Sequence, residues 1–354
     1  MENDFVFFLS HFHSDHYGGL GRHWKRGPIW CSSVTGNLIE QILKVPPHMV
    51  MRLPMGQPVK VQGVYVTLIE ANHCPGAVMF LFEGPGVGRS LHCGDFRYCP
   101  SMLQTLNPKP PPGPEAQTLN PKPSLDRVYL DTTYAGIKAS FPPQQEVLSA
   151  AVQIATQALQ EAGGASNVRF LVGTYTIGKE RIALHLAREC RLRVFVAPQR
   201  RRVFNCLEFS PEDLALFTES PQDAQVDLVP MNVCGSTFPP RGNFEGIRRY
   251  LQTLGIPEST RVVGFVCCSF CGDWMGRSTE EDLPIPTVCG EGEDSYNRLY
   301  CFFNGLVYVH PSCKARKRKQ QQQQQEQQQQ EQQQQQQELQ QQQQAAAFQR
   351  RSSD

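Results

Sequence analysis

The chain has 354 residues, of which 40% are hydrophobic, and its formal net charge at pH 7 is +1. This length can bury a large core and form two or more domains. So small a net charge excludes recognition of a nucleic acid or a membrane through the overall field alone. No apolar stretch is long enough to span a bilayer, so we expect no membrane partner. The thirteen cysteines are scattered and odd in number, which favours reduced thiols of an intracellular protein.

The spacing of apolar residues up to about residue 313 predicts helices that alternate with strands. In chain order these are a helix over 35–45, strands over 64–70, 77–83 and 127–131, a helix over 144–162, a strand over 168–172, a helix over 178–190, a strand over 192–198 and a helix over 243–255. Strands and helices that alternate in this way indicate an α/β architecture.

Two segments have compositions that do not suit a packed core. Residues 103–124 are rich in proline and contain the sequence QTLNPKP twice, which predicts a solvated loop. Residues 314–354 begin with the basic run KARKRK and continue as a glutamine tract, which we expect to be disordered or loosely helical. The basic run could be a nuclear-import signal, a phosphate-binding arm or a solvated patch.

The sequence HFHSDH, residues 11–16, places three histidines and an aspartate within six positions, directly after the apolar run FVFFLS. On an extended chain His11 and His13 project from the same face, so their imidazoles can bind one metal ion. Asp15 and His16 follow where the chain turns, and could face a second ion.

Two further candidate ligands, His73 in ANHCPGAV and Asp95 in LHCGDFRY, each follow an apolar strand. Strand ends are where an α/β scaffold places its site residues. Two adjacent ions also need a bridging carboxylate and further nitrogen ligands, which these residues can supply. The pattern therefore predicts a metal site, whereas isolated histidines such as His48 and His185 are interpreted as surface or core residues.

Residues 168–186, VRFLVGTYTIGKERIALHL, predict a strand, a tight turn and a helix. Gly173 and Gly178 permit close backbone approach, and a helix N-terminus offers free N–H groups to an anion. Thr176 and Lys179 add a hydroxyl and a positive charge, which together suggest a phosphate site. Many purely structural turns carry the same residue types, so that alternative stays open.

The pair Cys268 and Cys271 has CxxC spacing and could form a four-ligand zinc site with His310 and Cys313. No second pair with zinc-ribbon spacing accompanies it. We therefore favour the interpretation that these cysteines are small, buried apolar residues on a strand.

The motifs HFHSDH, ANHCPGAVMFLF, CGDFRYCPSM and YLDTTY together resemble the DNA cross-link-repair nucleases of the metallo-β-lactamase/β-CASP superfamily, in particular their 5′ exonuclease branch. HxHxDH alone indicates only the metallo-β-lactamase fold, whereas NHCPGAV and LDTTY narrow the resemblance to the DNA-repair branch. The resemblance implies an α/β fold, a metallo-β-lactamase αββα sandwich incomplete at its N-terminus, with an inserted α/β β-CASP domain.

The resemblance also implies domain boundaries. Residues 1–130 would form the metallo-β-lactamase part and residues 131–258 the β-CASP-like insert. Residues 259–313 would be a divergent return to the metallo-β-lactamase part, followed by the tail at 314–354.

The site residues implied by the resemblance fall into three groups. One or two Zn2+ ions would be bound by His11, His13, Asp15, His16, His73 and Asp95, with Asp95 as the bridge and Glu293 as a tentative further ligand where family members carry a histidine. Asp15, Asp95 and Asp131 would serve catalysis. A terminal 5′-phosphate would be held by Thr132, Gly173, Thr176, Gly178 and Lys179.

The implied function is a zinc-dependent phosphodiesterase acting on DNA, a 5′-to-3′ exonuclease of interstrand cross-link and double-strand-break repair in the nucleus. Its substrates would be single strands or duplex ends with a 5′-phosphate. Glu293 and the absent N-terminal strands leave open a catalytically impaired DNA-binding or scaffolding relative. His310 and Cys313 leave open an RNA-processing nuclease of the same superfamily.

Overall fold

The computed structural model describes residues 5–102, 124–133, 135, 142–237, 240–268, 298–303 and 306–308. In these residues the protein is mixed α/β, with sheets of three, five, seven and two strands. Most of the proline-rich insert, the whole of the tail, and Cys271, Glu293, His310 and Cys313 lie outside this part of the chain.

Residues 5–133, which we call the N-terminal region, contain the three-stranded and the five-stranded sheet. Their elements are β1 (Phe7–Phe8), β2 (Ile29–Cys31), α1 (Ser33–Gln41), β3 (Val50–Arg52), β4 (Val59–Val61), β5 (Val64–Glu70), β6 (Val78–Gly84), β7 (Gly88–His92) and β8 (Arg127–Tyr129), with a short 3-10 helix at Pro47–Met49. The first sheet is parallel in the order β1-β2-β3. The second has the order β4-β5-β6-β7-β8 and is antiparallel except for the β7–β8 pair.

The five-stranded sheet is covered on both faces, which explains the uninterrupted apolar character of β6. Val78 and Phe80 pack into a cluster with Leu68 of β5, whereas Met79 and Leu81 pack into the larger cluster that contains α1. Because side chains alternate along a strand, successive residues of β6 reach two different cores. β5 and β7 run in the same direction, so the chain segments that follow them leave the sheet at the same end of its strands.

Residues 142–308, which we call the C-terminal region, are built around the seven-stranded sheet. Their helices are α2 (Gln144–Glu161), α3 (Glu180–Cys190), α4 (Pro198–Phe204), α5 (Pro211–Leu214), α6 (Met231–Cys234) and α7 (Phe244–Thr253), with short 3-10 helices at Ala165–Asn167 and Pro221–Asp223. Their strands are β9 (Val168–Thr174), β10 (Val194–Phe195), β11 (Phe217–Thr218), β12 (Val226–Pro230), β13 (Gly235–Thr237), β14 (Pro240–Gly242), β15 (Arg261–Cys268), β16 (Arg298–Phe303) and β17 (Leu306–Tyr308).

The seven-stranded sheet has the order β11-β10-β12-β9-β15-β16-β17 and is parallel except for the last pair. Its central strand β9 is buried along its whole length. Phe170 and Val172 face a core shared with α2 and α3, while Leu171 faces a core shared with α7. Helices on both faces are the usual cover of a parallel sheet, and they explain the continuous apolar run of this strand.

The predicted alternation of strands and helices is confirmed. β5, β6, β8 and β9 lie where the sequence places strands, and α1, α2, α3 and α7 where it places helices. Two elements are shorter than predicted for local reasons. The strand predicted at 192–198 is reduced to β10 because Pro198 begins α4. The helix predicted at 35–45 ends at Gln41, since Lys44 has a φ of +62° and prolines follow it.

The strands after residue 259 lie elsewhere than the sequence predicted. We expected 259–313 to return to the N-terminal region. Instead β15 pairs with β9 over Arg261–Val266, and β16 and β17 extend the same sheet. The reason is that Val263 and Phe265 are fully buried in the core under α2 and α3.

The seven-stranded sheet contains a buried ion pair that joins neighbouring strands. Arg169 of β9 binds Asp227 of β12 through Nε–Oδ2 and Nη2–Oδ1 contacts of 2.9 and 2.7 Å. Both side chains are almost inaccessible, and Arg169 also donates to the carbonyls of Pro221 and Ala224. The guanidinium is thus surrounded by acceptors, as a buried charge requires.

Replacement of Asp227 by alanine should lower the free energy of unfolding by about 3–5 kcal/mol, because it leaves the Arg169 charge buried without its carboxylate. Urea unfolding of the purified variant measures this. Arg248→Ala removes one partner of an exposed pair with Glu245 and should change stability by about 0.5 kcal/mol or less. Equal losses in the two variants would show that the buried pair has no special role.

Candidate metal centre

The segment HFHSDH follows β1 and is positioned by the core. Phe12 is buried and packs on the Tyr17 ring with centroids 4.6 Å apart, so its two histidine neighbours are turned away from that contact. The chain then turns, with the N–H groups of His16 and Tyr17 donating to the His13 carbonyl at 3.0 and 3.1 Å. An extended piece followed by a turn is what the sequence predicted.

Four of the predicted ligands converge. One ligand atom from each of His11, His13, His73 and Asp95 lies within 4.8 Å of the other three. His13 Nδ1 and His73 Nε2 are 3.1 Å apart, and Asp95 Oδ2 is 3.6 Å from Nε2 of both His11 and His73. His73 comes from the loop after β5 and Asp95 from the loop after β7, so the strand ends meet as predicted.

These residues fit a metal ion. Ligands of a tetrahedral zinc ion at about 2.0–2.2 Å lie roughly 3.3–3.6 Å from one another. The three distances given above are 3.1–3.6 Å, within a group whose atoms lie up to 4.8 Å apart. His11 Nε2 is buried and makes no hydrogen bond to any described residue. A buried imidazole nitrogen without a partner is costly, and coordination of an ion would satisfy it.

The protonation states also suit a ligand set. Burial lowers the pKa of His11 to about 2 and that of His73 to about 4, with neighbouring histidines acting in the same direction. Burial lowers the pKa of His13 as well, opposed in part by the carbonyl of Ile177. At neutral pH all three rings are therefore uncharged and can each offer a lone pair. Ser10 Oγ, 3.0 Å from His11 Nδ1, orients that ring so that Nε2 faces the cluster.

Asp95 stands between this cluster and the remaining pair of predicted ligands. Its Oδ2 faces His11 and His73, whereas its Oδ1 lies 3.3 Å from His16 Nε2. His16 Nε2 is also 3.5 Å from Asp15 Oδ2, and Asp15 is 75% exposed. A carboxylate that presents its two oxygens to two ligand groups has the arrangement of a bridge. Asp15 and His16 themselves are not part of the four-residue group.

Asp131 follows β8 and lies beside the centre rather than in it. Its Oδ1 accepts from the N–H and the hydroxyl of Thr133 at 2.9 and 2.6 Å, which fixes the carboxylate in a local turn. Burial raises the pKa of Asp95; the charge of His16 lowers it, and the charge of Asp131 raises it. Asp131 is therefore close enough to act on the centre electrostatically, while its neighbour Thr132 is exposed.

The predicted phosphate residues do not all lie together. Thr176, Gly178 and Lys179 share the turn between β9 and α3, where Gly178 and Lys179 have φ values of +95° and +71°. Gly173 lies inside β9, and a Cβ there would come within 2.9 Å of Met231 Sδ. This glycine thus permits α6 to pack closely on the sheet, a tertiary contact that the sequence pattern did not reveal.

The turn between β9 and α3 lies next to the loop that carries His73, one of the four converging side chains. A Cβ on Gly178 would be 3.5 Å from Cys74 Cβ, and Ile177 is buried in the main core of the N-terminal region. The positive charge of Lys179 contributes to the lowered pKa of His73, after burial and the charge of His13. Tyr175 lies under the Lys179 ammonium, 5.5 Å from the ring centroid.

The N-terminus of α3 is not an open anion site. Glu180, its first residue, is only 2% exposed. Burial raises the pKa of this carboxyl, and the charge of Arg200 acts in the opposite direction; neither carboxylate oxygen has a hydrogen-bond partner among the described residues. The chain's own carboxylate therefore competes for the helix N-terminus. Lys179 and the hydroxyls of the turn remain as the groups that could hold a phosphate.

Arg200 of α4, which the sequence did not single out, organises this turn. Its guanidinium donates to the Thr174 hydroxyl at 2.5 Å and to the carbonyls of Tyr175 and Thr176 at 2.9 and 3.4 Å. Three acceptors on consecutive residues fix the path of the backbone before Gly178.

A second clamp, also missed by the sequence, joins the turn to the ligand loops. Asn72, directly before His73, has a φ of +54° and accepts from Arg181 Nη1 at 2.9 Å. Its Nδ2 donates to the Arg97 carbonyl at 3.2 Å, and the Arg97 N–H donates to the Ala71 carbonyl at 2.8 Å. The loops that carry His73 and Asp95 are thus tied to each other and, through Arg181, to α3.

Fold and site define a mixed α/β protein with a His/Asp group that could hold a metal ion. Comparison with curated proteins shows which proteins the chain is similar to. The chain is 41% identical over 268 residues to DNA ligase 6 of Arabidopsis thaliana, covering 74% of this chain and 18% of that protein. It is 40% identical over 229 residues to the DNA cross-link repair protein pso2/snm1 of Schizosaccharomyces pombe (64% and 38%), and 38% identical over 204 residues to 5' exonuclease Apollo of Gallus gallus (57% and 40%).

The chain belongs to the family of these DNA cross-link repair proteins. It spans 18%, 38% and 40% of the length of the three relatives just named. No family model matches the chain. Among the described residues, no helix combines the length and the apolar character needed to cross a membrane.

The metal-free protein should lose stability as the pH falls from 7.5 to 5.5. The folded state keeps His11 and His73 neutral, whereas the unfolded chain protonates them near pH 6.5, so acid favours unfolding. We expect a loss of about 1 kcal/mol from the buried His11 over this range and a smaller loss from His73, whose exposed ring is partly screened by water, measured by urea unfolding in chelator. His73→Asn should reduce the loss and His48→Asn should leave it unchanged. A flat profile in the wild-type protein would contradict the prediction.

Removal of the Asn72–Arg181 contact should weaken zinc binding by about 10–100-fold, because it loosens the loop that holds His73. Asn72→Gly keeps the positive φ, so it is preferred to alanine, and it removes the contacts to both Arg181 and the Arg97 carbonyl, whereas Arg181→Ala removes only the first. Zinc affinity is measured by competition with a chromophoric chelator. In a double-mutant cycle with Arg181→Ala, urea unfolding should show a coupling of about 0.5–1 kcal/mol. A cycle of Arg181→Ala with Glu245→Ala should show none, and equal coupling in both cycles would refute the clamp.

Proposed function

We propose that the chain is a zinc-dependent phosphodiesterase that acts on DNA, a 5′-to-3′ exonuclease of cross-link and double-strand-break repair with a metallo-β-lactamase/β-CASP architecture. The observation that carries the proposal is the position of Asp95 between the His11, His13 and His73 cluster and the His16 side of the site. The names of relatives, a cross-link repair protein and a 5' exonuclease, support DNA as the substrate and the nucleus as its place of action.

The ligand chemistry supports zinc. Three neutral imidazoles with one carboxylate form a set typical of zinc, whereas Mg2+ prefers oxygen ligands. Zinc bound there would neutralise charge on the phosphodiester and acidify a water molecule at neutral pH. The protein's own contribution is to keep the rings unprotonated, to orient His11 through Ser10 and to fix His73 through Asn72.

The exposed side of the centre is the side from which DNA would approach. Asp15 is 75% exposed and His16 29%, in contrast to the fully buried His11. In this proposal Asp15 and His16 complete a second ion site, with Glu293 as a tentative further ligand. Lys179 and Thr176 would bind the terminal 5′-phosphate, and Asp131 with Thr132 would border the pocket. Gly178 would give the phosphate room at the turn.

A catalytically impaired DNA-binding relative is the second candidate. It is favoured by the fact that Asp15 and His16 do not join the four-residue group in the described part of the chain. The two candidates differ in metal content, since the impaired relative would hold at most one ion. Zinc stoichiometry therefore separates them without relying on activity.

The purified chain with zinc should shorten a 3′-labelled single-stranded DNA stepwise from its 5′ end, provided that this end carries a phosphate. Chelator, Asp15→Ala and Asp95→Asn should each reduce the rate at least about 100-fold, because the chelator removes the ions and each substitution removes a carboxylate that would hold them at the reacting phosphate. Lys179→Gln should mainly raise KM for the 5′-phosphorylated strand. Elemental analysis accompanies the assay. No cleavage of DNA, with one zinc or fewer per chain, would favour the impaired relative, and cleavage of RNA alone would favour an RNA nuclease.

A further inference from the structure

A basic loop follows the metal-binding segment directly. Residues 21–27, GRHWKRG, contain Arg22, His23, Lys25 and Arg26, and the sequence has no acidic residue between Asp15 and Glu40. All four basic side chains are exposed. None of them forms an ion pair or hydrogen bond within the described residues. The loop is therefore a local positive surface on a chain whose formal net charge is only +1.

The backbone of this loop is held in place by its apolar side chains. Trp24 packs edge-on against Phe7 with ring centroids 4.9 Å apart, and its Nε1 donates to the Gly27 carbonyl at 2.8 Å. The backbone N–H of Trp24 donates to the Gly21 carbonyl at 3.0 Å. Gly27 has a φ of +151°, and a Cβ there would clash with the Phe5 carbonyl at 2.5 Å. The basic side chains are thus displayed from a fixed scaffold, which limits the entropy lost when they bind a ligand.

The number of residues between the basic loop and His16 limits the distance of the loop from the candidate metal centre. Arg22 is six residues after His16, so their Cα atoms are at most roughly 20 Å apart. Phosphates along one strand of B-DNA are spaced by about 3.4 Å of helix rise, so the loop lies within roughly six nucleotides of the reacting phosphodiester. Asp15, the most exposed ligand candidate, lies on the same continuous segment.

We propose that the basic loop binds the sugar–phosphate backbone of the DNA strand beyond the phosphodiester that is cleaved. This inference rests on the proposed function, because it takes that function's substrate and extends its binding surface. Arg22, Lys25 and Arg26 contact phosphates and do not read bases, since they lie in a surface loop with no groove-entering element. The contribution to affinity is therefore independent of sequence, strongly dependent on salt and present only for strands long enough to reach the loop.

The test uses the full chain with zinc and 5′-phosphorylated single-stranded DNA of 4 and 16 nucleotides, with phosphorothioate linkages that resist hydrolysis, and binding is measured by fluorescence anisotropy. The wild-type protein should bind the longer strand more tightly. The triple variant Arg22→Gln, Lys25→Gln, Arg26→Gln should lose this gain, about tenfold at low salt. The slope of log affinity against log salt should fall in magnitude by about 2.

The matched control is Lys60→Gln, Arg248→Gln, Arg249→Gln. It removes the same charge from exposed positions on β4 and α7, and should keep the gain with length. Thermal unfolding shows whether each variant is folded.

Four results would overturn the proposal. A folded loop variant with wild-type affinity and salt slope would show that the loop makes no contact, even if the protein digests DNA in the nuclease assay. Equal losses in both triple variants would assign the effect to overall charge. Tighter binding of a 16-nucleotide RNA than of the DNA, lost in the loop variant, would assign the surface to RNA. A wild-type protein that neither binds nor digests DNA would refute the proposed function together with this inference.

Discussion

Burial of uncharged imidazoles around one carboxylate is the constraint on which the site depends. His11 is inaccessible to solvent and its Nε2 has no hydrogen-bond partner among the described residues. Removing such a ring from water is unfavourable unless it is neutral and its lone pair is used. An ion held by His11, His13, His73 and Asp95 meets both conditions, and the same burial that lowers the pKa values of the rings keeps protons from competing with it.

The four ligands come from three loops, so the geometry depends on what holds those loops together. The five-stranded sheet fixes the ends of β5 and β7, from which His73 and Asp95 follow. Asn72 then joins these two loops through the Arg97 carbonyl and joins them to α3 through Arg181. Arg200 acts in the same way on the turn that carries Lys179. The candidate metal ligands and the phosphate candidates are thus each supported by an arginine of the C-terminal region, Arg181 and Arg200 respectively.

Local chemistry points to the candidate metal ligands in the sequence, whereas the contacts that position them depend on chain folding. The spacing of residues 11–16 alone predicts a metal site. The positions of His73 and Asp95 at strand ends predict that they join it. Asn72 and Arg181 are 109 residues apart, and only the tertiary fold brings an asparagine with positive φ beside that arginine. The sequence placed Gly173 in the turn, whereas it lies in β9 against α6. A glycine that leaves room for a packed helix cannot be distinguished in sequence from one that permits a turn. The apolar run of β15 likewise indicates a strand but not which sheet it joins, since pairing is non-local.

The charges around the candidate metal centre are distributed unevenly. His11 is buried, whereas His73 and Asp15 are exposed, and the Asp15 carboxylate would repel a polyanion if it stood alone. Lys179, whose charge acts on His73, and the exposed basic loop 21–27, which follows Asp15 in the chain, carry the opposite charge. Under the proposed function, a phosphodiester strand would be attracted by both, and it would meet the carboxylates where a bound cation has offset their charge. Metal occupancy and substrate approach would then be linked electrostatically, because the carboxylates without an ion would repel the phosphates.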